Sequence, residues 1–177
     1  MKEKSANLPR AEAAAILNQA GLRRLVYELA QEHRQLRLPL LKVAAAGAAL
    51  AANPDNADLR REARQAWRRL DTVMEGHFAR ADDAELLRGA SQMKVLPPAT
   101  ADALIELCDK LEELARRIAR VDFDAASPSA ARDAGLAMRD IAVALDEMTA
   151  REEREVMPRL QHALYGLGEA ARLARPG

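Results

Sequence analysis

Apolar residues recur along most of this 177-residue chain at alternating steps of three and four. That spacing places them on one side of an α-helix, whereas a half-buried strand alternates at every second position. Alanine, leucine, arginine and glutamate are frequent, and aromatic residues make up only 3% of the sequence. This composition favours helix over sheet. We therefore predict an all-α protein.

Helix-breaking segments divide this pattern into four long helices. The breakers are Asn53-Pro54-Asp55, Val95-Leu96-Pro97-Pro98, the stretch 122–129, and Pro158. Connections this short favour antiparallel neighbours, so the sequence predicts an antiparallel up-down-up-down four-helix bundle. Short flanking N- and C-terminal helical pieces are expected around residues 11–19 and 160–173. Residues 1–177 are predicted to form a single domain with its core at about 20–158.

Candidate capping residues agree with these boundaries. Asp55 or Asn56 is expected to cap the second helix, because a side-chain oxygen there accepts from the first free backbone N–H groups. Thr100 is expected to cap the third helix. Ser127 is expected to cap the fourth, with Pro128 at the first helical position.

Charge and targeting features limit the expected partners. The 27 basic and 27 acidic residues cancel without forming blocks of one sign, so neither nucleic acid nor a membrane is an expected partner. The N-terminus lacks the apolar core of a secretory signal, and the most apolar run, Ala44–Ala52, is too short for a membrane span. The single Cys108 excludes an intramolecular disulfide and fits a reducing compartment, so we predict a cytoplasmic protein.

Several chemistry-bearing residues lie on the inward stripes of the predicted helices. They are His33 in the first helix, His77 in the second, Cys108 in the third, and Met148 and Glu152 in the fourth. Residue counts from the helix ends place the first four in one layer, with Glu152 one turn further along. Each alone also fits a packed or hydrogen-bonded core residue. A buried carboxylate, however, is costly unless it is paired or protonated, so the convergence indicates a candidate site.

Three segments around these residues resemble the successive helical motifs of hemerythrin-like HHE cation-binding domains. They are Glu32-His33-Arg34-Gln35-Leu36, Gly76-His77-Phe78, and the run from Met148 to Pro158. The resemblance covers roughly residues 22–160. It implies a four-helix bundle with a non-haem di-iron centre, in which each helix supplies a His and two helices add a Glu four residues later. Family members bind or sense oxygen or nitric oxide, or handle iron.

Carried over by position, the resemblance makes His33, His77 and Glu152 metal ligands. The other three ligand positions fall on residues of different chemistry, which are Ala81, Cys108 and Met148. One Glu and two His cannot complete two irons, so a normal di-iron centre is not expected. The same three residues match a facial site for one divalent ion, iron by resemblance. Candidate additional ligands are Cys108, Met148, Asp82 and the adjacent Asp83.

Three functional interpretations follow. In the first, the chain binds one metal ion in a sensing, binding or regulatory role, with a small gaseous ligand on the metal. In the second, no metal is bound, His33, His77 and Glu152 form a buried hydrogen-bonded cluster, and the bundle is a protein-interaction or regulatory module with an exposed apolar patch. In the third, a His and Met148 ligate a haem, although the Cys-x-x-Cys-His attachment sequence is missing. No residue set indicates catalysis, and a protein partner or a homo-oligomer is compatible with these roles.

Overall fold

The computed structural model describes residues 19–78, 83–92 and 94–173, and no strand occurs within these ranges. The elements, in chain order, are α1 (Gln19–Ala52), α2 (Ala57–Phe78), α3 (Asp83–Gln92), α4 (Pro98–Ala119), α5 (Pro128–Arg151), a π-helical turn that we call the π segment (Glu152–Val156), and α6 (Met157–Leu173). The prediction of an all-α protein is confirmed. The expected N-terminal helical piece lies almost wholly outside the described residues.

The predicted caps of α2 and α5 are confirmed. Asn56 Oδ1 accepts hydrogen bonds from the backbone N–H groups of Asp58 at 2.9 Å and Leu59 at 3.2 Å. Ser127 Oγ accepts from the backbone N–H of Ala130 at 3.2 Å. Both side chains thus satisfy donors that the first helical turn leaves without a partner.

The predicted cap of α4 is wrong, because the helix begins earlier than expected. Pro97 occupies the cap position and Pro98 the first helical position, where a missing backbone N–H costs nothing. Thr100 therefore lies in the first turn, where it is buried. Its hydroxyl donates to Glu155 Oε2 in the π segment at 2.9 Å instead.

Two predicted helix boundaries also differ. Between the first and second breakers the structure has two helices, α2 and α3, where one was predicted, and residues 79–82 between them lie outside the described part of the chain. The predicted break at Pro158 is wrong, since α5 passes through the π segment directly into α6. The proline ring normally clashes with the carbonyl four residues earlier, which here belongs to Arg154 inside the wider π turn.

The helices form a bundle around one cluster of buried apolar residues. In that bundle α1 packs against α2, α5 and α6, while α4 packs against α3 and α5. The largest fully buried side chains are Leu36, Leu50, Leu70, Leu96, Leu104, Leu111, Ile118, Met138, Ile141, Leu145 and Met148. Burial of these side chains supplies the main driving force that holds the helices together.

Two glycines bring the backbones of α1 and α5 into direct contact. A Cβ atom at Gly47 would lie 2.7 Å from the carbonyl oxygen of Gly135 and 2.8 Å from Met138 Cβ, and a Cβ atom at Gly135 would lie 2.6 Å from the Gly47 oxygen. Further along the same pair, His33 of α1 contacts Glu152 just beyond α5. The two helices therefore run in opposite directions.

Two arginines of α2 join the loop after α1 to the loop before α5. Arg60 donates from Nε to the carbonyl of Pro54 at 2.7 Å and from Nη1 to the carbonyl of Ala126 at 2.8 Å. Arg64 forms an ion pair with Asp124. Both loops therefore lie at the same end of the bundle.

One helix, α1, contains a long apolar segment. Residues Leu29–Ala52 are long and apolar enough to cross a membrane by length and composition, so the expectation that no run reaches this length is wrong. Its inward residues Leu36, Val43 and Leu50 are buried in the core. Only 28% of the most apolar 18-residue stretch of this segment is buried. Much of the outer face of α1 is therefore apolar and exposed.

Substitution of either contact glycine is expected to push α1 and α5 apart. Gly47→Ala or Gly135→Ala should lower the free energy of unfolding by about 1–3 kcal/mol through overpacking, measured by urea unfolding. Gly166→Ala is the matched control, since a Cβ there meets nothing within 4 Å and alanine favours helix by about 0.5–1 kcal/mol. Equal stability of all three variants would contradict the close approach.

Candidate metal centre

The candidate site is built around His33, which lies on the inward side of α1. The residue is buried, with 8% of its surface exposed. Its Nε2 lies 2.9 Å from Glu152 Oε2, and its Nδ1 lies 3.1 Å from Glu153 Oε1. Both ring nitrogens therefore contact carboxylates, and we call these three residues the His33 cluster.

The π segment explains how two consecutive glutamates reach one histidine. Consecutive residues of an α-helix point about 100° apart, so only one of them normally faces a given neighbour. The backbone N–H of Met157 donates to the carbonyl of Glu152, five residues earlier, which widens the turn and changes these directions. Glu152 is buried, whereas the Glu153 side chain is 59% exposed.

The net charge of the cluster depends on whether the His33 imidazole is protonated. Burial alone lowers the pKa of His33, but hydrogen bonds to Glu152 and Glu153 and the negative charges of both glutamates outweigh that effect, so its pKa is raised above the ordinary 6.5. Ionised carboxylates only accept hydrogen bonds, so both ring nitrogens must carry protons for both bonds to form. The geometry and the raised pKa both favour the doubly protonated imidazolium over the neutral ring.

The other predicted site residues have different fates. Cys108 Sγ lies 3.9 Å from Met148 Sδ, as expected for two residues of one layer, and Met148 is fully buried. The remaining predicted positions have side chains outside the described part of the structure, and they are His77, Ala81, Asp82 and Asp83. Of these, the backbone of His77 belongs to α2 and that of Asp83 begins α3.

Two carboxylates were not identified as site residues from the sequence. Glu153 follows Glu152 directly, and α-helical spacing places it off the inward stripe. Glu155 accepts the hydroxyl hydrogen bond of Thr100. The acidic run Glu152-Glu153-Arg154-Glu155 was visible in the sequence, but its use by two neighbouring helices depends on the π turn, which side-chain periodicity does not reveal.

An open cleft of about 530 Å³ lies beside the His33 cluster, between α1 and the start of α6. It is lined by Ala30, His33, Arg34, Arg37, Glu153, Met157, Pro158 and Gln161. The cleft gives solvent access to the Glu153 side of the imidazole. The Glu152 side faces the core.

Comparison with protein families gives a match over most of the chain. The model of the hemerythrin HHE cation binding domain matches residues 24–160. The chain belongs to the hemerythrin HHE family. No curated protein and no solved structure matches it. The family match agrees with the resemblance of the three motif segments and includes His33, His77 and Glu152.

The donors described in this hemerythrin-family chain do not fit a di-iron centre. Over the described ranges, no group of three or more His, Cys, Asp or Glu side chains is arranged to hold a metal ion. A ligating imidazole needs a free lone pair on one nitrogen, and Nε2 of His33, the nitrogen that faces the core, contacts Glu152 Oε2 at 2.9 Å. Cys108 and Met148 contact each other.

Stability is expected to depend on pH through His33. A raised folded-state pKa stabilises the fold fully below the unfolded value of about 6.5, and this contribution is lost as the pH rises through the folded pKa. The difference in free energy of unfolding between the wild type and His33→Gln should therefore shrink as the pH rises, measured by urea unfolding from about pH 5.5 to pH 9. His162→Gln, at an exposed position of α6, is the control. A difference that grows with pH would contradict the assignment.

Proposed function

We propose that this hemerythrin-family chain is a protein-interaction or regulatory module in which the hydrogen-bonded His33 cluster takes the place of the di-iron centre. The observation that carries the proposal is the contact of both imidazole nitrogens with carboxylates, at 2.9 Å and 3.1 Å. A doubly hydrogen-bonded imidazole satisfies the buried Glu152 without a metal. The cluster then has a structural role at the junction of α1 with the π segment.

The outer surface of α1 supports an interaction role. Its C-terminal half exposes apolar positions that we call the outer stripe, namely Leu38, Leu41, Ala45, Ala48 and Ala52. The two leucines are 61% and 63% exposed. An exposed apolar stripe on a helix is a candidate contact surface for another protein.

The proposal includes an antiparallel up-down-up-down order of the long helices α1, α2, α4 and α5. The opposite directions of α1 and α5 support it. The arginine contacts of α2 support it as well, since they bring the loop after α1 and the loop before α5 to one end. In this order the His33 cluster and the hydrogen bond between Thr100 and Glu155 both lie toward the end of the bundle opposite these two loops.

A second candidate is a site for one divalent metal ion, iron by family resemblance. A carboxylate on the second nitrogen of a ligating histidine is a common feature of metal sites, and Glu153 holds that position on His33. In this case His33 and Glu152 would be ligands together with His77, and additional donors would come from Cys108, Met148 or Asp82. A bound metal would offer a site for a small gaseous ligand.

Metal analysis distinguishes the two candidates. Protein purified without chelator should contain iron, zinc and manganese at well below one atom per chain. Its melting temperature should not change on adding Fe²⁺ or Zn²⁺, because a ligand that binds only the folded state would raise it. The measurements are elemental analysis and thermal unfolding, with His162→Ala as the control variant.

The opposite result would favour the metal site. In that case the wild-type protein would contain about one metal atom per chain. The His33→Ala, His77→Ala and Glu152→Ala variants would contain none, and the His162→Ala variant would keep it. Visible absorption of the same preparation tests the haem interpretation, which requires a strong Soret band.

A further inference from the structure

The outer stripe has no counterpart on the neighbouring helix α2. The exposed positions of α2 are nearly all charged or polar, and they include Asp58, Arg61, Glu62, Gln65, Arg68, Arg69 and Thr72. From Leu38 to Ala52, by contrast, the exposed residues of α1 are apolar apart from Lys42. The stripe is thus a local feature of α1.

The spacing of the outer stripe is that of a helix–helix seam. Its positions follow one another at steps of three, four, three and four, which is the a/d pattern of a two-stranded coiled coil. The seam extends over about 21 Å along the helix axis. The opposite side of α1, which includes Leu36, Val43 and Leu50, is already buried in the bundle, so the exposed stripe can contact another molecule without unfolding the core.

We propose that the outer stripe is a self-association surface, on which a second copy of this chain docks through its own α1 in antiparallel orientation. This inference rests on the interaction role proposed above and gives that role a partner. It does not depend on the state of the His33 cluster, because no stripe residue belongs to that cluster.

Side-chain size favours the antiparallel orientation. When two stripes run in opposite directions and are centred between Leu41 and Ala45, Leu38 lies opposite Ala48 of the second copy, and Leu41 lies opposite Ala45. Each layer then pairs one large side chain with one small one, which fills space evenly. In a parallel pair, leucine would face leucine at one end, and alanine would face alanine at the other.

Charge favours the same orientation. Between His33 and Ala52, α1 carries the cations Arg34, Arg37 and Lys42 and no acidic residue. A parallel pair would place all three like charges level with their own copies, which is unfavourable. The antiparallel pair moves both arginines away from their copies and leaves only Lys42 close to its own. The antiparallel pair moves Arg34 toward the end of the second α1, close to the loop that contains the exposed Asp55.

Concentration-dependent sedimentation velocity tests the association. The seam is short, so we expect a monomer–dimer equilibrium with a dissociation constant on the order of micromolar. Leu41→Glu should weaken it by roughly tenfold or more, because it places a charge within the seam. Val143→Glu is the matched control, since Val143 is 67% exposed on α5, outside the stripe, and it should leave the equilibrium unchanged. Circular dichroism should show both variants folded.

Cysteine cross-linking tests the orientation. In a Cys108→Ala background, a mixture of Leu38→Cys and Ala48→Cys chains should form mainly the mixed disulfide, because the antiparallel seam places these positions opposite each other. Two chains substituted at the same position, Leu38→Cys with Leu38→Cys or Ala48→Cys with Ala48→Cys, would hold their cysteines about 15 Å apart along the seam. A dominance of like pairs would overturn the antiparallel arrangement.

Two further outcomes would overturn the proposal. One is a wild-type chain that stays monomeric at high concentration. A monomeric chain whose stripe binds vesicles of phosphatidylserine and phosphatidylcholine would be such a case. The other is a dimer that survives Leu41→Glu unchanged. These outcomes concern only the outer stripe. The proposed replacement of the di-iron centre by the His33 cluster is tested separately by metal content, because the stripe variants leave that cluster intact.

Discussion

The close approach of α1 and α5 determines the geometry of the rest of the bundle. At Gly47 and Gly135 the two backbones touch without intervening side chains, which fixes both the spacing and the axial position of the helices. That position brings His33 level with the end of α5. The buried contact with Glu152 therefore depends on two glycines that lie far from it along the helices.

The π segment is the second constraint, and it acts locally. A continuous α-helix would direct Glu152 and Glu153 to different neighbours. The wider turn allows both to contact His33, and the same segment places Glu155 against Thr100 of α4. Three acidic side chains of one short segment thus connect it to two other helices.

The sequence predicted those features that depend on side-chain periodicity and local capping. The inward positions of His33 and Glu152 followed from the apolar stripes, and the caps Asn56 and Ser127 followed from residue type. The sequence did not predict the contact of Glu153 with His33, because that contact depends on a change in backbone hydrogen bonding. It also did not place Thr100 inside the bundle, since two prolines start α4 early. The metal-ligand role of His33, His77 and Glu152 stays a prediction.

The uninterrupted passage from α5 into α6 has a mechanical consequence. A π turn contains one residue more than an α-helical turn, so its conversion to α-helix would rotate everything after it by about 100° about the helix axis. Leu160, which is fully buried at the start of α6, would then turn away from the core. The backbone state of the five residues beside His33 therefore sets which face of α6 meets the bundle, and the same turn decides which acidic side chains reach the imidazole.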